Sequence, residues 1–229
     1  MMYLYLSNKE CMIYTNELNN DSCFIGYFNQ PLDTAFIEQC YQYCTSLHDY
    51  VGGESGWGKE IPRLQKWYQE DNIDFSHKWK STFDRWKANN YDTSLSYIQT
   101  HIQNRLNELG FAQKDKFNSC LINMYRDEYD SIKPHFDSME IFGSRPFICI
   151  LSLGDERDIL FKRKIYDKRN EKSLKIDKNS TLLDHRFTLT HGSILIMAED
   201  TQKYYMHSIP KCSEKKMTRY SMTFRYFPT

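Results

Sequence analysis

Residues 119–137 read SCLINMYRDEYDSIKPHFD, two apolar-rich runs on either side of a charged five-residue break. The same alternation of short run and turn continues to residue 226. Runs at 119–125, 131–137, 147–153, 158–164, 186–189, 193–197, 203–209 and 219–226 are rich in Ile, Leu, Phe, Tyr and Thr, which favour a pleated, half-buried surface. Turn signals at Gly154, His191-Gly192 and Pro210 separate several of them. Eight short strands in about 110 residues predict an antiparallel double-sheet barrel. Upstream the period changes. Apolar positions Phe36, Ile37, Cys40, Cys44 and Leu47 after Asp33 mark an amphipathic helix over 33–48. Leu95, Ile98, Ile102, Leu106 and Leu109, stopped by Gly110, mark another over 93–109. The expected fold class is α+β, mainly β: a double-stranded β-helix (jelly roll) buttressed by N-terminal helices.

Residues 1–229 read as a single domain, with 1–110 as helical support and 111–229 as the jelly-roll catalytic core. All four tryptophans, Trp57, Trp67, Trp79 and Trp86, fall between the two helices. Hydrophobic residues at 40% and charges at 26% fit a chain that buries a core rather than a disordered one. The longest apolar runs are too short for a membrane span, and no basic cluster precedes an apolar stretch at the N-terminus. Seven scattered cysteines without a CxxC pair indicate neither a disulfide framework nor a zinc knuckle. These features predict an intracellular protein, cytoplasmic or nuclear, away from membranes, and a monomer. The net charge of zero hides a polarity. Residues 1–60 carry two lysines against eight acids, and residues 161–178 carry eight Lys and Arg against three acids. The second stretch is either a solvated loop or a phosphate footprint, and residues 211–219 add further basic charge.

His135-Phe136-Asp137 is the first chemically pointed feature. Residues i and i+2 of a strand share a face, so the imidazole and the carboxylate are expected to point together. Alone, such a pair reads first as a hydrogen-bonded structural couple. His207, on a later expected strand, supplies a third candidate. Two imidazoles and one carboxylate suit ferrous iron and leave adjacent coordination positions open. With only one negative charge among the ligands, the metal keeps positive charge for an anionic chelating cosubstrate. Arg219 and Arg225 lie six residues apart on the last strand and so face the same side. A straight strand separates them by roughly 20 Å, which suits opposite ends of one site. Arginine binds carboxylates bidentately and keeps its charge.

Asn123-Met-Tyr125, His135-x-Asp137, Leu151-Ser-Leu-Gly154, His191-Gly192, His207-Ser-Ile-Pro210 and Arg219-x5-Arg225 together resemble the AlkB family of Fe(II)/2-oxoglutarate dioxygenases. The likeness runs from about residue 118 to 227. Upstream, IPRLQKWY at 61–68 is similar to a segment of the family's nucleic-acid demethylases. The resemblance implies that His135, Asp137 and His207 hold Fe(II). It implies Arg219 on the far carboxylate of 2-oxoglutarate, assisted by Tyr125 and Asn123, with Arg225 nearer the metal-side carboxylate and steadying Asp137. It implies O2 as co-reactant and DNA or RNA as partner, with an N-alkylated base flipped into the pocket, oxidised and released as formaldehyde and the repaired base.

The resemblance places a nucleotide-recognition lid in the aromatic-rich part of residues 1–110, which makes Trp67, Tyr68, Phe75 and Trp79 candidates for stacking on or lining the base, and Arg63 for a phosphate contact. One departure concerns the base. Family members that repair N1-methyladenine and N3-methylcytosine often carry an acid two positions after the metal aspartate; here Met139 stands there and Glu140 follows. Ser221 likewise stands where some relatives have Asn. Other readings are the same oxygenase chemistry on a tRNA base, on a thymine or 5-methylcytosine methyl or on a protein, and a His/Asp/His zinc hydrolase. The last gives Arg219 and Arg225 no task.

Overall fold

The computed structural model describes residues 2–4, 11–18, 21–53, 60–70, 87–112, 115–165, 175–176 and 185–228. In chain order the elements are β1 (Met2–Leu4), β2 (Cys11–Leu18), β3 (Asp21–Phe28), α1 (Thr34–Ser46), β4 (Leu64–Gln69), β5 (Ala88–Asn90) and α2 (Thr93–Glu108). Then follow β6 (Ser119–Tyr125), β7 (Ile132–His135), α3 (Met139–Phe142), β8 (Ile148–Gly154), β9 (Arg157–Ile165), β10 (Lys175–Ile176) and β11 (His185–Leu189). The last are β12 (Ile194–Glu199), α4 (Thr201–Tyr204), β13 (Tyr205–Ile209) and β14 (Arg219–Arg225). Among the described residues no helix is long and apolar enough to cross a membrane.

Two sheets face each other. The larger runs β1-β2-β3-β12-β8-β14-β6-β4-β5, and the smaller runs β10-β9-β13-β7 with β11 also paired to β9. The eight expected strands are β6 to β9 and β11 to β14, split between the two sheets as a jelly roll requires. Strand parity decides which side chain does what. From β14, Tyr220, Met222 and Phe224 join Cys120, Ile122, Cys149 and Leu151 on the outer face of the large sheet. Against that face α1 lays Phe36, Ile37, Cys40 and Cys44, and α2 lays Leu95, Ile98, Ile102 and Leu106. Both helices start where the sequence placed them. Asp33 accepts from the Phe36 N–H at 2.8 Å and Asp92 from the Leu95 N–H at 2.7 Å, caps worth about 1 kcal/mol each. The opposite face, with Ile148, Ile150, Leu195 and Met197, meets Ile159, Phe161, Phe187 and Leu189 of the small sheet.

Two glycines permit close approaches. Gly154 has φ +88°, and a Cβ there would lie 2.4 Å from the Thr218 carbonyl oxygen. Gly192 has φ +81°, and a Cβ would lie 2.5 Å from Ile37 of α1. The Gly154 N–H donates to His191 Nδ1 at 2.9 Å, which ties the Leu151–Gly154 and His191-Gly192 motifs into one corner.

The structure departs from the sequence reading at three places. The first 110 residues supply strands as well as helices: β3 pairs with β12 and β4 with β6, extending the large sheet on both sides. The strand expected over 131–137 ends at His135, so Asp137 lies beyond the ladder. The strand expected from 203 begins instead as α4, whose short turn is held by tertiary bonds: the Thr201 hydroxyl accepts from the Phe24 N–H at 3.0 Å, and Asp200 N–H donates to the Ser22 carbonyl at 2.8 Å.

Candidate active site

Strands β7 and β13 are antiparallel neighbours with His207 directly opposite His135, and the ring centroids are 4.3 Å apart. Asp137 closes the group: one potential ligand atom from each of the three lies within 4.8 Å of the others. His135 Nδ1 is 2.9 Å from the Lys133 carbonyl oxygen. A carbonyl only accepts, so Nδ1 carries the proton and the Nε2 lone pair is left for a ligand role. Burial lowers the basicity of both histidines and pushes His207 down to about 3, with His135 adding to the effect. Burial alone would raise the Asp137 carboxyl. Arg225, followed by the two histidines, outweighs it and holds the group below the usual range. Neutral imidazoles beside an ionised carboxylate are the protonation states a bound divalent ion requires. The donor set thus fits Fe(II).

Arg225 Nε and Nη2 both donate to Asp137 Oδ2, at 3.0 and 2.9 Å, within a buried pair. At the far end of β14, Arg219 is 1% exposed. Its Nε donates to the Ser152 hydroxyl at 2.9 Å, and its guanidinium carbon lies 5.1 Å from the centre of the Tyr125 ring. Burial pulls its basicity down to about 10. Nη1 of Arg219 and Nη1 of Arg225 are buried without a hydrogen-bond partner. Such atoms are costly unless an acceptor arrives. An anion with carboxylates is the chemistry that would satisfy them. Between the two arginines lies a cavity of about 200 Å³, walled by the triad, both arginines, Arg63 and Trp67, with Ile150, Ile159 and Leu189 supplying apolar surface.

Asn123 and Tyr125, two residues apart on β6, both line this cavity. Arg63 lies in the bend just before β4, and its Nε donates to Asn123 Oδ1 at 3.0 Å, so it is turned to the cavity wall rather than to an outer phosphate. Trp67, 3% exposed, shares that wall. Tyr68 does not: adjacent strand residues point to opposite faces, and its ring is buried in the helix-facing core against Tyr91. Met139 also stays off the wall, because the chain turns into α3 after Asp137. Ser138 and Phe142 reach the cavity instead, and Glu140 is exposed. Phe75 and Trp79 lie outside the described residues, as does most of the basic stretch 161–178. Within that stretch Lys164 is 3% exposed, with its Nζ 3.9 Å from the centre of the Phe136 ring, which removes it as a phosphate contact. Residues that sequence reading did not single out include Ser152, which meets Arg219, and Gln202, which meets the Asp137 backbone. Both act over long sequence separations without any periodic signal.

Comparison with known proteins agrees with this geometry. A family model described as the 2OG-Fe(II) oxygenase superfamily matches residues 22–225. The chain is 33% identical over 118 residues to the DNA oxidative demethylase ALKBH2 of Arabidopsis thaliana, covering 48% of this chain and 38% of that protein. It is 31% identical over 164 residues to the alpha-ketoglutarate-dependent dioxygenase alkB homolog 3 of Mus musculus, covering 72% of this chain and 51% of that protein. The match therefore spans about half the length of these curated relatives, or less. Among solved structures, that of OsALKBH1 superposes with a TM-score of 0.57 at 14% identity, covering 88% of this chain and 97% of the other. A prolyl hydroxylase from Trichoplax adhaerens reaches 0.51 at 13% identity, covering 89% of this chain and 83% of the other. These two likenesses carry the jelly-roll fold alone. The chain belongs to the 2OG-Fe(II) oxygenase superfamily, among the AlkB-like dioxygenases.

Proposed function

We propose that this chain catalyses the Fe(II)- and 2-oxoglutarate-dependent oxidative demethylation of N-alkylated bases in DNA or RNA. The carrying observation is one cavity that joins the His135/Asp137/His207 group to Arg219, whose Nη1 has no partner. In this reading His135 Nε2, His207 and Asp137 hold the iron. When bound, iron with O2 and 2-oxoglutarate supplies the oxidising power that converts an N-methyl group to formaldehyde and the cosubstrate to succinate and CO2.

The protein's own part is binding, orientation and exclusion of water. Arg219 takes the far carboxylate through Nη1 while Ser152 and Tyr125 fix its plane. Arg225 keeps one carboxylate oxygen of Asp137 occupied and so leaves the other for the metal. Asn123, held by Arg63, and the Tyr125 ring complete the cosubstrate wall. Trp67 and Phe142 offer aromatic surface to an extruded base. The Ile150, Ile159 and Leu189 side chains limit water near the reacting atoms.

The test combines purified protein with Fe(II), 2-oxoglutarate and a panel of methylated DNA and RNA oligonucleotides, read by mass spectrometry. Succinate and formaldehyde released together, and lost in Asp137→Ala, are the expected result. Succinate without any demethylated oligonucleotide would move the substrate elsewhere. Neither product, with every oligonucleotide intact, would overturn the proposal.

A further inference from the structure

Asp137 is the one member of the His/Asp/His group that no strand holds. β7 ends at His135, and the chain leaves the ladder before the carboxylate is reached. Its main-chain N–H donates to Gln202 Oε1 at 2.9 Å, across 65 positions of sequence. Gln202 is 1% exposed, and its amide nitrogen faces the Met197 sulfur at 3.4 Å. The amide is thus oriented with its oxygen toward Asp137. The Gln202 backbone carbonyl in turn accepts from Lys164 Nζ at 2.6 Å, and that ammonium covers the ring of Phe136. Residues 136 and 137 are consequently gripped from two sides, by β9 through Lys164 and by α4 through Gln202.

The turn that carries Gln202 is itself anchored. Thr201 Oγ1 bonds the Phe24 main chain of β3, and Arg145 Nη2 donates to Asp200 Oδ2 at 2.8 Å. A one-turn helix has little stability of its own, so these bonds set where Gln202 stands. The side-chain end of Asp137 is held independently by Arg225. The carboxylate therefore has two fixings of different kinds: Arg225 sets the charge and rotamer, and Gln202 sets the backbone from which the side chain departs.

We infer that Gln202 is a positioning residue for the metal site, fixing the Asp137 main chain so that its carboxylate converges with His135 and His207. This rests on the reading of those three side chains as metal ligands. Groups that orient metal ligands typically contribute about 10–100-fold to metal affinity or activity. Gln202→Met keeps the length and removes the acceptor. Gln202→Glu keeps an oxygen in place.

The experiment titrates Co(II) alone into the anaerobic protein and follows its visible d–d bands, with a thermal melt of each variant. Gln202→Met is expected to bind Co(II) about 10–100-fold more weakly with altered bands, and Gln202→Glu to restore most of the affinity. Phe224→Ala serves as the control that loses stability without changing the bands. Should Gln202→Met fail to fold, Gln202→Asn, whose amide stops one methylene short of the Asp137 N–H, takes its place with the same two outcomes. Wild-type affinity and bands in a Gln202 variant without the acceptor would overturn the inference. If wild-type protein itself bound no Co(II), the ligand reading would fall and the inference with it, a result told apart because no variant is needed to see it.

Discussion

Strand β14 turns Arg219, Ser221, Thr223 and Arg225 toward the cavity and Tyr220, Met222 and Phe224 toward the helices, and the two sets obey different rules. The outer set is apolar and filled on all sides by α1, α2 and the neighbouring strands. Its contribution is packing, which tolerates no missing volume. The inner set keeps two arginines buried beside only part of the acceptors they can use. That arrangement costs stability in the empty protein and returns it when an anion and a metal arrive. One strand thus separates folding from chemistry by parity alone, a division a helix could not make so sharply at this length. The teaching is experimental: neighbouring substitutions on β14 should move different observables.

The largest expected effect is on the outer face. Phe224 is fully buried and packs near Phe117 at 5.9 Å between ring centroids. Phe224→Ala should lower the unfolding free energy by about 3–5 kcal/mol, read by urea denaturation. Co(II) affinity per folded molecule should stay at the wild-type value. A shift in metal affinity as large as the stability loss would break the division between faces.

A smaller effect is expected from Arg219→Ala on the inner face. Loss of a charge-assisted pair costs about 1.5–3 kcal/mol, so the 2-oxoglutarate requirement should rise roughly 10- to 100-fold. Stability of the empty protein should hold or improve, because a buried cation with an unpartnered nitrogen is removed. Calorimetric titration of 2-oxoglutarate beside a thermal melt checks both. Unchanged cosubstrate affinity would detach Arg219 from the site.

The division was legible in the sequence to the extent that it follows parity. RYSMTFR at 219–225 alternates so plainly that the shared face of the two arginines, and the strand itself, could be read without coordinates. The same is true of α1 and α2, whose apolar residues recur at helical spacing, with Asp33 before the first and Gly110 after the second. Strand β3 was not legible. Cys23, Ile25 and Tyr27 are buried on one face and Phe28 on the other, so DSCFIGYF is a near-continuous apolar run with no polar side to betray the period. Tyr68 is hard to separate from Trp67 for the opposite reason: both belong to one aromatic-rich stretch, and the parity that divides them appears only once 64–69 is known to be a strand. Asp137 shares a strand face with His135 in the sequence reading, whereas the structure brings it to His135 and His207 from beyond the end of β7. Its position depends on Gln202, and a bond between residues 137 and 202 leaves no trace in local pattern.

The smallest expected effect tests the inner face at its least conspicuous residue. Ser152 on β8 is fully buried and its hydroxyl accepts from Arg219 Nε. Ser152→Ala keeps the strand, since the main-chain bonds to Ser193 and Gly192 remain, and removes that acceptor together with the long 3.4 Å bond its hydroxyl donates to the Leu189 carbonyl. Two nitrogens of Arg219 are then buried without partners instead of one. The unfolding free energy should fall by about 1–3 kcal/mol, the cost of a stranded donor. Cosubstrate affinity should fall by a few-fold only, because the carboxylate contact at Nη1 is retained while its aim is loosened. The paired measurement, thermal melt and 2-oxoglutarate titration, has a distinctive expected sign: Ser152→Ala loses stability where Arg219→Ala does not, although both act on the same guanidinium. If Ser152→Ala left both quantities unchanged, the contact with Tyr125 would be the whole of what aims Arg219. If it matched Arg219→Ala in both, the inner face would behave as one rigid unit rather than as a charge and its separate support.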